Sequence, residues 1–188
     1  MITDTTVPVD LPVPVDNGEC DHLTGCSFPS LDLPTTSGSA VNLAKHLNAL
    51  TIIFCYPRTA APDEIVPDEW NAIPGARGCT PQACSFRDLL SELKAHGVKN
   101  VYGLSTQSTE YQQEVKERLH LPYDLISDEK LAFVQSLNLP TMEWKGDKLV
   151  KRITLAVLEG KIIHTWYPVF PTDKSADEVL KWLKNREA

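Results

Sequence analysis

The chain has no block of Lys or Arg, and no apolar run approaches the ~20 residues that a membrane-spanning helix needs. With a net charge of −7, the first absence removes the basic footprint of a nucleic-acid or anionic-membrane binder. The second excludes a transmembrane helix. The opening residues lack the basic start and apolar stretch of a secretory signal, so a cytoplasmic, reducing setting is expected. There is no Cys-x-x-Cys pair and no internal repeat. Five cysteines are an odd count and do not read as a disulfide scaffold. Cys20, His22 and Cys26 carry zinc-ligand side chains, but their spacing matches no closed four-ligand pattern and no fourth ligand follows. Neither a metal nor a cofactor is expected.

What is present is ordinary globular material. Of 188 residues, 42% are hydrophobic and 23% charged, enough for one core. The expected organisation is an extended arm over 1–19 and one domain over 20–188. Pro-Val alternation from Val7 to Val15 favours a polyproline-like arm.

The stretch from Gly78 to Asp88 holds two cysteines, Cys79 and Cys84, around a helix start. Thr80 can act as N-cap and Pro81 suits the first helical position. Phe86, Leu89, Leu90 and Leu93 then form one apolar helix face, and Gly97 ends it. Cys79 therefore sits at the positive end of a helix, where a thiol becomes a thiolate, and Cys84 about a turn inside.

The other elements fall around this one. Leu50 to Tyr56 reads as a strand buried on both faces, with Cys55 an inert core residue. The prolines at 57, 62, 67 and 74 make 57–78 a loop of about 22 residues, long for a compact domain. Val98 to Ser105 is a second strand, and Ser108 or Thr109 caps a helix carrying Tyr111, Val115 and Leu119. Leu121 to Ser127 is a short edge segment and Glu129 to Leu137 a short helix. Val41 to Leu47 is a strand-to-helix entry. Arg152 to Leu158 and Lys161 to Tyr167 form a hairpin about Glu159-Gly160. Ser175 and Glu178 make a capping box for the last helix. This order is α/β, with a mixed sheet between helices.

Arg77, Arg87 and Arg152 are the cations available to the pair; a guanidinium stays charged and suits a thiolate or a peroxide oxygen. A thiolate that attacks peroxide becomes a sulfenic acid, which a second thiol condenses with to a disulfide. Helical residues five apart have Cα atoms ~8.6 Å apart. A disulfide wants ~4.4–6.8 Å, so a helix bearing both cysteines must unwind before they join. On spacing alone the bland alternative stays open: Cys84 a core residue and Cys79 an ordinary thiol.

Gly78-Cys79-Thr80 with Ala83-Cys84-Ser85-Phe86-Arg87-Asp88 resembles the active-site segment of the Q-type, or bacterioferritin-comigratory-protein-like, peroxiredoxins. The resemblance runs from about residue 26 to 184. Phe54-Cys55-Tyr56-Pro57 is similar to the strand and proline that lead into the family's active-site loop. Tyr102 to Ser105 resembles its next strand. Leu121-Pro122-Tyr123 with Ile126-Ser127-Asp128 is similar to its Leu-Pro-Phe and Ser-Asp segment. Arg152 to Leu155 with Glu159-Gly160-Lys161-Ile162 matches its arginine-bearing strand and hairpin.

The resemblance implies a thioredoxin-like fold and hydroperoxide reduction. It puts Cys79 at the peroxidatic position, Cys84 at the resolving one and Arg152 at the active-site arginine. A thioredoxin- or glutaredoxin-like reductant is the implied partner, and a monomer, or at most a weak dimer, suffices. Two departures stand out. The family's Pro-x-x-x-Thr/Ser-x-x-Cys is absent: Ala76 and Ala72 occupy the hydroxyl and proline positions, and Pro57 lies 22 residues before Cys79, about 15 more than the family spacing. Thr59 and Thr80 are the substitute hydroxyls for holding peroxide. Trp70, Ile73 and Pro74 of the inserted stretch have no counterpart, and they either cover the site, present a partner surface or pack on one another. Two other readings remain: a general thiol–disulfide oxidoreductase, disfavoured by the missing Cys-x-x-Cys, and a binding protein whose 57–78 loop docks a partner when the cysteines pair.

Overall fold

A computed structural model describes residues 10–45 and 48–187. The arm's Val7-Pro8-Val9 and the His46-Leu47 end of the expected helix entry lie outside the described residues.

Strand β1 (Leu33–Pro34) and β2 (Ala40–Val41) form a two-residue ribbon, followed by a 3-10 turn at Leu43–Lys45. Strand β3 (Thr51–Cys55) is buried at every residue, as a continuous β-branched and aromatic run requires. Helix α1 (Asp68–Asn71) is short. Then come α2 (Cys79–Asp88), α3 (Leu90–Ala95), β4 (Asn100–Ser105) and α4 (Thr109–Arg118). The Ser108 hydroxyl accepts from the Tyr111 N–H and caps α4 as expected. Strand β5 (Leu125–Ser127), α5 (Ala132–Ser136), β6 (Thr141–Trp144), β7 (Asp147–Val150), β8 (Ile153–Leu158), β9 (Lys161–Trp166) and α6 (Ser175–Glu187) complete the order.

The main sheet runs β5-β4-β3-β8-β9. Strands β4 and β5 are parallel to β3, while β8 pairs antiparallel with β3 and β9 antiparallel with β8. The mixed sheet and its helices are those expected of the sequence. Period-two alternation sends Ile52, Phe54 and Tyr56 to the face covered by α2, α3, α4 and α6. Ile53 and Cys55 face α5 and the segment from Cys20 to Leu43. The β8–β9 turn is at Glu159-Gly160, both with positive φ, the geometry of a tight hairpin.

Several local expectations are corrected. Helix α2 begins at Cys79 with Gly78 as its N-cap, so Thr80 is helical and not the cap. The helix does not run on to Gly97: Leu89, at φ −95° and ψ 4°, separates α2 from α3. Gly97 (φ 90°) does end α3, with the Val98 N–H returning to the Leu93 carbonyl. Ser175 is helical and continues from a 3-10 turn at Thr172–Lys174; its hydroxyl meets Gln82 and Thr154. No capping box forms.

The 57–78 stretch packs its apolar residues, partly on one another and partly on a neighbouring element. Trp70 and Ala76 are buried with Leu149, against Val66, Ile73, Met142 and Trp144. The Trp70 and Trp144 rings meet edge-on, centroids 5.0 Å apart. Within it the Arg58 guanidinium pairs with the Glu64 carboxylate at 2.6 Å, and that carboxylate also accepts from the Ala61 N–H. The partner surface for this packing is the β6–β7 hairpin, turned at Lys145-Gly146 with both φ positive.

Candidate active site

Antiparallel pairing places Ile153 opposite Cys55, so β8 begins where β3 ends. Arg152 precedes β8 and therefore lies at the carboxyl end of the parallel strands, where ligand sites of such sheets form. The 57–78 segment leaves β3 at the same end and returns as α2. Cys79, the first residue of α2, is brought to Arg152 by this arrangement.

Arg152 is buried, and each nitrogen of its fork has a partner. Nη2 is 3.1 Å from the Cys79 Sγ. Nε donates to the Gly75 carbonyl at 3.2 Å, and Nη2 also to the Ala76 and Arg77 carbonyls at 3.1 and 3.4 Å. Nη1 donates to the Gln82 Oε1. Among the described residues no carboxylate pairs with it. The guanidinium is thus a buried cation ringed by neutral acceptors and one sulfur, aimed at the place where an attacking sulfur meets an oxygen. The start of α2 adds its unpaired N–H groups.

Gln82 was not singled out by the sequence. It is fully buried one turn after Cys79, accepting from Arg152 and donating from Nε2 to the Ser175 hydroxyl at 3.2 Å. Ser175 in turn lies 3.3 Å from the Thr154 hydroxyl. Helix α6 and strand β8 thus hold the arginine through one amide. Nothing local announces this, since Gln82 and Arg152 are 70 residues apart. Gly78 has a recognisable signal in hindsight. Its φ of 106° is left-handed, and a Cβ there would lie 2.9 Å from the Thr172 Cβ and closer still to Thr172 Oγ1. Only glycine lets the start of α2 approach Thr172.

Cys84 is buried on the same helix, in the core cluster that also holds Ala83 and Tyr56. Burial pushes its thiol up, and the Arg87 guanidinium pulls the other way. Arg87 is held by Asp88 and by the Leu119 carbonyl; of the three arginines named from the sequence, Arg152 is the one that reaches Cys79. All five cysteines are free thiols. Cys55 is fully buried with its thiol raised by desolvation, and burial raises Cys20 to about 12.

Thr59 and Thr80 differ in what they offer. The Thr59 hydroxyl donates to the Gln107 Oε1 at 3.2 Å, and its carbonyl accepts from the Tyr111 hydroxyl at 3.0 Å. It belongs to a network at the base of the 57–78 segment. Thr80 adjoins Cys79, is half-buried, and its hydroxyl has no hydrogen-bond partner among the described residues. The structure does not gather Cys20, His22 and Cys26. His22 Nε2 bonds the Leu137 carbonyl, the Cys26 thiol donates to the His22 carbonyl, and no three-residue metal cluster occurs among the described residues. No helix among them is long and apolar enough to cross a membrane.

Residues 23–180 match the Redoxin family. The chain belongs to that family. Within it the chain is similar to Peroxiredoxin Bcp of Escherichia coli (strain K12), 31% identical over 160 residues that cover 83% of this chain and 92% of the relative. It is similar to Peroxiredoxin Q, chloroplastic, of Oryza sativa subsp. japonica, 30% identical over 188 residues, covering 97% and 79%. Among solved structures, Peroxidoxin BcpB from Mycobacterium tuberculosis superposes with a TM-score of 0.70 at 26% identity, over 87% of this chain and 98% of that one. The fold is thioredoxin-like, and the protein is a peroxiredoxin, a thiol-dependent peroxidase.

Proposed function

We propose that this peroxiredoxin works by an intramolecular two-cysteine cycle on hydroperoxides. The Cys79 thiolate attacks the terminal peroxide oxygen. The O–O bond breaks, the distal oxygen takes a proton and leaves as water or an alcohol, and Cys79 becomes a sulfenic acid. Arg152 and the first N–H groups of α2 steady the thiolate and the charge that develops on oxygen. The Cys84 sulfur then attacks the Cys79 sulfur; the S–S bond forms, the S–O bond breaks, and hydroxide leaves as water with the thiol proton. An external dithiol of thioredoxin or glutaredoxin type reduces the disulfide. Thr80 is the hydroxyl we assign to the substrate, because that of Thr59 is engaged by Gln107. Both cysteines lie on α2, so a monomer suffices, in a reducing compartment such as the cytoplasm.

The observation that carries this reading is the Arg152 guanidinium 3.1 Å from the Cys79 sulfur at the start of the helix that also bears Cys84. The test is mass spectrometry after one equivalent of hydroperoxide. The expected product has lost two hydrogens, localised to the 79–84 peptide. Peroxide consumption by a Cys79→Ser variant at the wild-type rate would sink the assignment.

A further inference from the structure

Closing the Cys79–Cys84 bond requires part of α2 to leave the helix, because helical residues five apart are too distant for a disulfide. Arg152 and Ser175 hold the side chains of Cys79 and Gln82, and a further side chain grips the backbone of that segment. The Tyr123 hydroxyl donates to the Ala83 carbonyl at 2.6 Å. Ala83 lies between the two cysteines, and its carbonyl also belongs to the helix ladder. The phenol cannot follow an unwinding helix. Tyr123 is buried in the short connection between α4 and β5, its ring edge-on to Phe54 at 5.7 Å. Phe54 is in the central strand and stacks on Phe86 of α2 at 4.5 Å.

We propose that Tyr123 is a latch on the resolving step: its hydroxyl bond favours the helical, reduced arrangement of 79–84 and slows formation of the Cys79–Cys84 disulfide. The inference rests on the two-cysteine cycle above and adds a control on its second half. When the segment unwinds, the bond is lost and a buried hydroxyl is left without its partner, an asymmetry that opposes unwinding. The sulfenic acid therefore lives longer. A second peroxide has more time to convert it to the sulfinic acid: the sulfur attacks one peroxide oxygen, the S–O bond forms as the O–O bond breaks, and the other oxygen takes a proton and leaves as water or an alcohol.

The test is Tyr123→Phe, which removes one oxygen and keeps the ring. Stopped-flow fluorescence and quenched mass spectrometry follow the two steps separately with hydrogen peroxide. The expected result is an unchanged second-order rate for Cys79 oxidation and disulfide formation faster by about three- to tenfold, the range for one lost net hydrogen bond. The sulfinic fraction at a given peroxide dose falls in parallel. A change in general stability alone would not separate the two steps in this way. Amide exchange of residues 79–88, expected to speed up in the variant, tests the latch without turnover. An unchanged or slower disulfide step, or unchanged exchange in α2, overturns the proposal. If the wild-type protein forms no disulfide at 79–84 with equimolar peroxide, it is the two-cysteine cycle that fails, and this is seen before any variant is made.

Discussion

Arg152→Lys separates charge from shape at the centre of the site. The wild-type guanidinium serves the Gly75, Ala76 and Arg77 carbonyls, the Gln82 amide and the Cys79 sulfur. Lysine keeps the positive charge but brings three donors on one nitrogen and no planar fork. At least two of the five acceptors lose their partner in a buried place. Each such loss costs about 1–3 kcal/mol, so the variant is expected to be less stable by about 2–6 kcal/mol. That is a large part of the ~5–15 kcal/mol that holds a domain together. The chemistry suffers separately. Lysine cannot hold the carbonyls of 75–77 and still present a donor both to the sulfur and to a peroxide oxygen. Removing one such aligned donor typically slows reaction by about 10²–10³-fold. Urea unfolding of the reduced protein measures the first effect, and stopped-flow oxidation of Cys79 in folded variant the second. A urea midpoint equal to wild type together with an oxidation rate within about threefold would refute the reasoning. A lowered midpoint with an unchanged rate would make Arg152 a structural residue only.

Two further outcomes follow from the surroundings. Gly78→Ala places a side chain at φ 106° and a methyl carbon 2.9 Å from the Thr172 Cβ. The backbone strain is about 1–2 kcal/mol and the overpacking about 1–3 kcal/mol; Gly97→Ala, at φ 90° with nothing within 4 Å of the new atom, should show the strain alone, and the difference between their urea midpoints isolates the packing. Glu19 accepts from the Lys151 ammonium at 2.7 Å and the Tyr167 hydroxyl at 2.6 Å, and these bonds hold its carboxyl below the ordinary range. A depressed folded value means that its stabilisation is full above the unfolded pKa of ~4.3 and is lost as pH falls through the folded value. Wild type and Glu19→Gln should differ at pH 6, by less than about 1 kcal/mol because the pair is partly exposed, and converge at lower pH; a gap that widens on acidification contradicts the assignment.

Features decided by neighbours in the chain were legible; those decided across the fold were not. Thr51 to Cys55 is an unbroken β-branched and aromatic run, and it became the central strand. Ser108 caps α4 and Glu159-Gly160 turns the β8–β9 hairpin, each by a local hydrogen bond or a local φ. Thr80 is as good a cap by type as any, yet Gly78 caps α2 because Thr172, almost a hundred residues on, occupies the space beside it. Ser175 has capping-box chemistry, but Gln82 and Thr154 take its hydroxyl. The β6–β7 hairpin has only a weak local signal in Lys145-Gly146, since glycine in second place marks a tight turn less visibly after lysine than after asparagine. Without that hairpin, the surface that buries Trp70 and Ile73 is not visible, and the sequence leaves them to cover the site, present a partner surface or pack on one another.

That packing gives a physical account of Ala76. The residue is fully buried, and the cluster of Trp70, Leu149 and the flanking Val66, Ile73, Met142 and Trp144 lies around it. A threonine would add two heavy atoms, one of them polar, to a place already filled by the inserted segment. What residue 76 supplies instead is its carbonyl, which accepts from Arg152 at 3.1 Å and faces the Cys79 thiol at 3.7 Å. Any residue has that carbonyl; its direction is set by the backbone of 75–77. Gly75, with φ 77°, turns that backbone so that three successive carbonyls meet one guanidinium. The 57–78 segment thus provides a backbone cradle for the arginine. The precision of the site then depends on how firmly Trp70 and Trp144 hold that backbone in place.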